Sequence, residues 1–301
     1  RFPSVAAATL LIPAAWALAR LLVRRRVLPS GAAIWAALLA AANPFYLWYG
    51  REVRMYSLVP LLALVSSYLL LRGWAEDSRP AARRYLLGYL VTLLLLLGTH
   101  YLAVLILPVH AIIVLVRLAA RSRRQAGLVV VGLLAAGALI AWALDRLVLK
   151  SPGAGTNFPV VSLPVMVRDL LNAFSLGLSV DVSRVLWLDL VFAALAIIGI
   201  AWPLRRGRLT NPEAWFLPAF LLLPILLLQV IQWVQPAYMN ARHLSLISGA
   251  FLLLVAGGLA AVWHFRRWGA IALGVLLLVG SAYSTYNYYY SPEYAKDHFV
   301  A

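Results

Sequence analysis

LSLISGAFLLLVAGGLAAVW, residues 244–263, decides what kind of protein this is. These twenty consecutive residues carry no charge. At about 1.5 Å of rise per residue, a helix of that length measures roughly 30 Å, the hydrocarbon thickness of a bilayer. The next run, GAIALGVLLLVGSAYSTY at 269–286, is equally uncharged. Working outward, apolar runs bounded by charged or turn-rich breaks recur at 5–22, 31–48, 56–72, 85–99, 101–118, 126–145, 185–203 and 214–233. The stretch 85–118 is too long for one crossing at about 1.5 Å per residue, so it divides at Gly98-Thr99-His100-Tyr101. The expectation is an all-α, polytopic transmembrane helical bundle of about ten spans.

Composition agrees. Of 301 residues, 64% are hydrophobic and 12% are charged, against about 25% charged in an ordinary soluble domain. The mean hydropathy is +0.88. A net charge of +16 would suit a nucleic-acid binder, but the basic residues sit in short clusters between apolar runs. That pattern encodes membrane orientation, and no nucleic-acid partner is expected. Disulfides and thiolate metal sites are excluded because the chain has no cysteine.

Alternate connections differ in charge. Arg20, Arg24, Arg25 and Arg26, then Arg72, Arg79, Arg83 and Arg84, then Arg117, Arg121, Arg123 and Arg124, then Arg205, Arg206 and Arg208, and finally Arg266 and Arg267 hold 17 of the 26 basic residues. These loops are expected in the cytoplasm. The other loops hold nine basic residues and most of the acids: Glu52, Asp145, Asp169, Asp181, Asp189, Glu293 and Asp297. They and both chain ends are expected outside. The domain expectation is a single bundle over 1–286, including a long outer loop at 146–184, followed by an outward C-terminal segment at 287–301. In the long loop a Gly/Pro-rich turn, KSPGAGTNFP at 150–159, precedes LPVMVRDLLNAFSLG at 163–177, whose helical period predicts a short amphipathic helix flat on the outer surface. Aromatics crowd the outer boundary at Phe45, Tyr46, Trp48, Tyr49, Tyr286, Tyr288, Tyr289 and Tyr290, where interfacial anchoring accounts for most of them.

Three outward polar groups are candidates for chemistry. Asn43-Pro44 ends one helix, and WYGREVRMY, residues 48–56, follows. If this stretch is helical, Arg51 and Arg54 share a face and Glu52 stacks with Tyr56. Two arginines make a clamp for a phosphate or diphosphate; headgroup binding or an internal Arg–Glu pair explains them equally well. The second group is Thr99-His100-Tyr101, where a histidine bonded to a neighbouring helix is the plain alternative. The third is Tyr238-Met239-Asn240-Ala241-Arg242-His243, where Arg242 and His243 could add a cation and a donor, and for which snorkelling to the interface is the plain alternative. His100, His110, His243, His264 and His298 show no paired spacing, so no metal and no cofactor are expected.

RFPS at 1–4, NPFYLWYGREVRMYSL at 43–58, GTHYLAVLILP at 98–108 and ARHLSLISGAFLLLVAGGLA at 241–260 resemble the GT-C superfamily of membrane glycosyltransferases. The likeness is to bacterial family-39-type enzymes, related to protein O-mannosyltransferases and aminoarabinose lipid A transferases. It implies transfer of a sugar from a polyprenyl-phosphate donor, with inversion, to a protein, glycan or lipid acceptor at the outer (periplasmic) face of the cytoplasmic membrane. On that resemblance Arg51, Arg54 and Arg242 hold the lipid phosphate, and Tyr56, His100, Tyr101 and His243 line the cavity. Glu52 is the supporting catalytic carboxylate; flanked by two arginines, it is a poor base. The family carries its main catalytic acid in a first outer loop upstream of the RFPS segment. The expectation is therefore that one helix and that acid precede Arg1, that a C-terminal extension follows, and that the chain as given folds without transferring sugar. A transporter or flippase for lipid-linked sugars, a ligase or polymerase, and a structural scaffold are the rival readings. The absence of an internal repeat and the gathering of polar groups at one face favour the enzyme.

Overall fold

The computed structural model describes residues 1–76, 78–121, 127, 130, 159–207, 211–234 and 239–294. Among these residues the fold is entirely helical. The helices are α1 (Phe2–Arg24), α2 (Ala32–Ala42), α3 (Pro44–Gly50), α4 (Leu58–Ala75), α5 (Arg79–Thr99), α6 (Ile106–Arg121), α7 (Leu163–Leu176), α8 (Val182–Arg205), α9 (Phe216–Val234), α10 (Ser248–Phe265) and α11 (Arg267–Tyr290). Proline stands in the first turn of α1, α3, α5 and α7, where its missing N–H leaves no helical bond unmade.

Eight of the described helical segments are long and apolar enough to cross a membrane. A ninth arises if α2 and α3, bent by 49° to each other, form one broken span. The bend falls at Asn43-Pro44: Asn43 ends α2 in an extended conformation, and its side chain accepts the Tyr46 N–H to start α3. The predicted division at residues 98–101 is present, because His100 is extended between α5 and the turn Tyr101–Leu105. The predicted span at 126–145, Asp145, the 150–158 turn, Tyr238 and Asp297 lie outside the described residues.

The decisive stretch forms the centre of the molecule. Every residue of α10 from Ser248 to Ala261 is buried. It crosses α8 where Gly199 faces the Leu254 carbonyl and Gly258 faces the Leu195 carbonyl, so two backbones meet with no side chain between them. By contrast α5 turns Leu87, Leu90, Val91, Leu94 and Leu95 outward. Apolar side chains on the outside of an apolar bundle suit a lipid solvent and not water.

The helices alternate in direction, which sorts the connections to two ends. At the basic end Arg25 and Arg117 both pair with Glu213, and Arg25 also donates to the Leu71 carbonyl. Ser30 and His264 join there at 3.0 Å, and Arg206 lies over Trp202. The opposite end gathers the start of α1, the α3 region, the break after α5, α7, the start of α10 and the end of α11. Ser4 donates to the Arg54 carbonyl, Asn43 to the Phe174 carbonyl, and Asn287 to the Ser179 carbonyl.

The predicted amphipathic helix is present as α7: Met166, Leu170, Ala173, Phe174 and Leu176 bury against the bundle, and its other face, with Val165, Val167, Arg168 and Asp169, is exposed. Its sequence period is amphipathic, but the apolar stripe meets protein, with Phe174 edge-on to Phe45. Asp189 is not in a loop. It sits inside α8, 1% exposed, and accepts a hydrogen bond from Asn172 of α7 at 2.9 Å.

Candidate functional site

Three interruptions in otherwise continuous apolar helices converge at the end opposite the basic clusters. The first is the passage from α3 to α4. Arg51 caps α3, residues 51–54 are irregular, Arg54 is extended, and Met55–Ser57 is a single 3-10 turn. The stretch 48–56 is therefore not one helix, and the condition for a shared face is not met. A helix that ends on Gly50 and restarts only at Leu58 cannot stack Glu52 on Tyr56 or align Arg51 with Arg54. The second interruption is His100 with its following turn. The third is the 3-10 turn Ala241–Ile247, started by the Asn240 side chain accepting the Arg242 N–H.

One constellation forms where these breaks meet. The guanidinium of Arg242 lies 5.5 Å over the ring of Tyr56. His100 is 6.0 Å from the Tyr56 ring and 6.1 Å from the His243 ring, and it stacks on Tyr101 at 4.8 Å and 20°. A run of rings continues into the protein, from Tyr56 to Tyr49 at 5.2 Å, Phe45 at 4.8 Å and Phe174 at 5.2 Å. His100 and Tyr56 are buried, Arg242 and His243 are half-buried, and Tyr101 is exposed. Burial lowers the pKa of the His100 imidazole and favours its neutral form. Five of the eight expected site residues thus stand together: Tyr56, His100, Tyr101, Arg242 and His243.

The other three lie at the same end in different surroundings. The Arg51 guanidinium rests over Tyr288 and Tyr289 at the end of α11, 5.2 and 5.0 Å from the ring centres. Glu52 accepts the Trp48 indole N–H at 3.1 Å, and Trp48 in turn leans on Tyr288 at 4.9 Å. Arg54 lines an open cleft of about 400 Å³ with Arg1, Ser4, Val53, Met55 and Leu58. An apolar groove of about 180 Å³ runs between α1 and the α2–α3 pair, walled by Val5, Ala8, Ile12, Ala40, Ala41 and Leu47, with Arg51 at its rim.

Sequence reasoning set Trp48, Tyr288 and Tyr289 aside as interfacial anchors, yet these rings hold Arg51 and Glu52 in place. The signal was the pairing of two aromatic clusters at the same predicted boundary. Asn172, Asp189 and Asn240 were missed as positioning residues. Among the described residues no group of three or more His, Asp and Glu side chains is close enough together to hold a metal ion. No family model, curated protein or solved structure matches the chain.

Proposed function

We propose that this chain belongs to a multi-pass glycosyltransferase of the cytoplasmic membrane, supplying about ten of its spans, and that the enzyme moves a sugar from a polyprenyl phosphate to an acceptor at the outer face. The observation that carries this reading is the convergence of three helix breaks at the aromatic end. They gather Arg242, Tyr56, His100 and His243, and they bring Arg51 and Arg54 to the same surface. The arginine-rich loops at the opposite end suit the cytoplasmic side.

The chemistry follows from charge. An acceptor oxygen or nitrogen attacks the anomeric carbon from the face opposite the phosphate and passes its proton to a carboxylate base other than Glu52. The bond from that carbon to the phosphate oxygen breaks, and negative charge grows on the departing polyprenyl phosphate. Fixed cations and N–H donors in a site that excludes water stabilise that charge far better than water does. Arg242, held over Tyr56, faces the leaving phosphate. Arg51 and Arg54 bind the donor at the rim, and the groove beside α1 takes part of the isoprenoid chain. Glu52, occupied by Trp48 and beside Arg51, supports the arginine and does not act as the base.

The test uses the full-length protein in lipid nanodiscs with a radiolabelled polyprenyl-phosphate sugar. Arg242→Ala should lower transfer by roughly 30-fold or more, the loss expected for one preorganised contact to developing charge, about 2–4 kcal/mol. Lysine at that position should restore only part, because it lacks the planar fork. If the donor crosses the bilayer of proteoliposomes with its sugar still attached, the transporter reading replaces this one.

A further inference from the structure

Arginines in the loops at the basic end orient a membrane chain by their number alone. Orientation does not require them to meet, yet three of them do. Arg20 and Arg24 of α1 and Arg72 of α4 line a cleft of about 140 Å³ together with Trp16 and Tyr68. The cleft lies at the opposite end of the bundle from the candidate site, and the transfer reaction makes no use of it.

The charges in this cleft are poorly matched. Arg72 meets Glu76 at 3.6 Å and lies over Tyr85, 5.3 Å from the ring centre. Among the described residues, no hydrogen bond or ion pair uses the donors of Arg20 or Arg24. Arg25 differs, because it is committed to Glu213. The placing of Arg20 is also unusual. Helix α1 runs toward the basic end, so Trp16 stands one turn deeper in the bilayer than Arg20. An arginine at such a boundary ordinarily reaches toward water. Arg20 instead holds its guanidinium 4.8 Å over the Trp16 ring, at the deeper level.

Depth and surroundings identify the anion that belongs there. Trp16 is exposed and sits where tryptophan marks the edge of the hydrocarbon. At about 1.5 Å per residue, Arg20 lies roughly 6 Å beyond it and Arg24 roughly 12 Å. The interfacial layer on one side of a bilayer is about 5–7 Å thick, so Arg20 stands level with the lipid phosphates. The same faces continue into the membrane as apolar stripes. On α1 the exposed Leu10, Pro13 and Trp16 lead to Arg20, and on α4 the half-buried Leu62, Val65 and Leu69 lead to Arg72. Acyl chains fit the stripes, and the arginines wait where a phosphate would be. A guanidinium suits phosphate because its planar fork gives two parallel hydrogen bonds.

We propose that this cleft binds the phosphate of an anionic glycerophospholipid in the leaflet at the basic end, with Arg20 and Arg72 as its donors, Arg24 adding charge from the water side, and the acyl chains along the α1–α4 seam. Basic pockets between membrane helices are suited to such headgroups. The site requires only that the bundle spans a bilayer and is independent of the sugar transfer.

Native mass spectrometry of the full-length protein in a neutral detergent tests it. Phosphatidylglycerol should be retained in preference to phosphatidylcholine, whose choline brings a positive charge back to the cleft. Arg20→Gln combined with Arg24→Gln should weaken that retention roughly tenfold. Arg83→Gln combined with Arg84→Gln removes the same charge from the exposed start of α5 and should leave it near the wild type. Equal loss in the two pairs, or equal retention of phosphatidylcholine, overturns the site. Inorganic phosphate binding as tightly as phosphatidylglycerol, or decaprenyl phosphate binding in preference to it, overturns the assignment to a glycerophospholipid. A second measurement needs no variant. Phosphatidylglycerol carrying a photoactivatable diazirine near the headgroup end of one acyl chain should cross-link the wild type within residues 10–20 or 62–72. Cross-links confined to other helices overturn the proposal.

Discussion

At the scale of single residues, the buried charges do different work at the two ends. Glu213, 4% exposed, takes both Arg25 and Arg117 at the basic end. Burial, with Arg72 nearby, pushes the Arg25 pKa down to about 10, which still leaves it charged at neutral pH. Two guanidiniums from separate elements thus depend on one carboxylate. Glu213→Ala should destabilise the fold by on the order of 3–5 kcal/mol, because it strands two partly buried guanidiniums. Thermal unfolding in detergent would show it, and a melting point equal to the wild type would mean that solvent already screens these arginines. By contrast, on the proposed function a loss at Arg242 should leave melting unchanged and appear only in transfer, because a residue that would meet the leaving group in the transition state is not needed to hold the bundle together.

At the scale of elements, the α8–α10 crossing is the tightest contact and the easiest to break. A Cβ placed on Gly258 would come within 2.0 Å of the Leu195 carbonyl oxygen, and one on Gly199 within 2.2 Å of the Leu254 carbonyl oxygen. Backbone atoms cannot swing aside as a side chain can, so α8 would have to leave the face of α10. Gly258→Val should cost at least about 3 kcal/mol and strongly reduce folded protein. Gly98→Ala is the matched control: no atom lies within 4 Å of its Cβ position, and alanine favours the helix there. Fluorescence-detected size exclusion would separate the two, and normal yield from Gly258→Val would disprove the crossing. Helix α7 is held differently, by Phe174 against Phe45 and by the Asn172–Asp189 and Asn43–Phe174 hydrogen bonds. Those two bonds tie it to α8 and to the α2–α3 bend, the element that carries Arg51 at its far end.

At the scale of the whole molecule, the alternation of helices puts every arginine-rich connection among the described residues at one end and every candidate site residue at the other. If the basic end is cytoplasmic, the site faces outward. Ser162, before α7, and Ser78, before α5, are both exposed and lie at opposite ends. In intact cells an impermeant thiol reagent should label Ser162→Cys and spare Ser78→Cys. The reverse pattern would place the site in the cytoplasm and remove the basis for an outward acceptor.

The sequence by itself determined where along the chain the long described helices fall. All nine predicted spans that fall on described residues coincide with a helix or with the bent α2–α3 pair, because an uncharged run of about twenty residues has few other ways to satisfy its backbone away from water. It also determined which loops share an end, since charge alternates along the chain in step with direction. The local breaks at Asn43-Pro44 and at His100 were legible from their residue types. Only the tertiary structure decided what the breaks do. Whether Arg51 and Arg54 share a face depends on where α3 stops, and packing of Phe45 and Tyr49 settles that. Asp189 looked like a loop acid because a single charge near a helix start reads the same whether it faces water or a partner such as Asn172. Tyr56, His100 and His243 lie far apart in the chain and meet because three separate helices break at the same depth, a coincidence in space that no local pattern records.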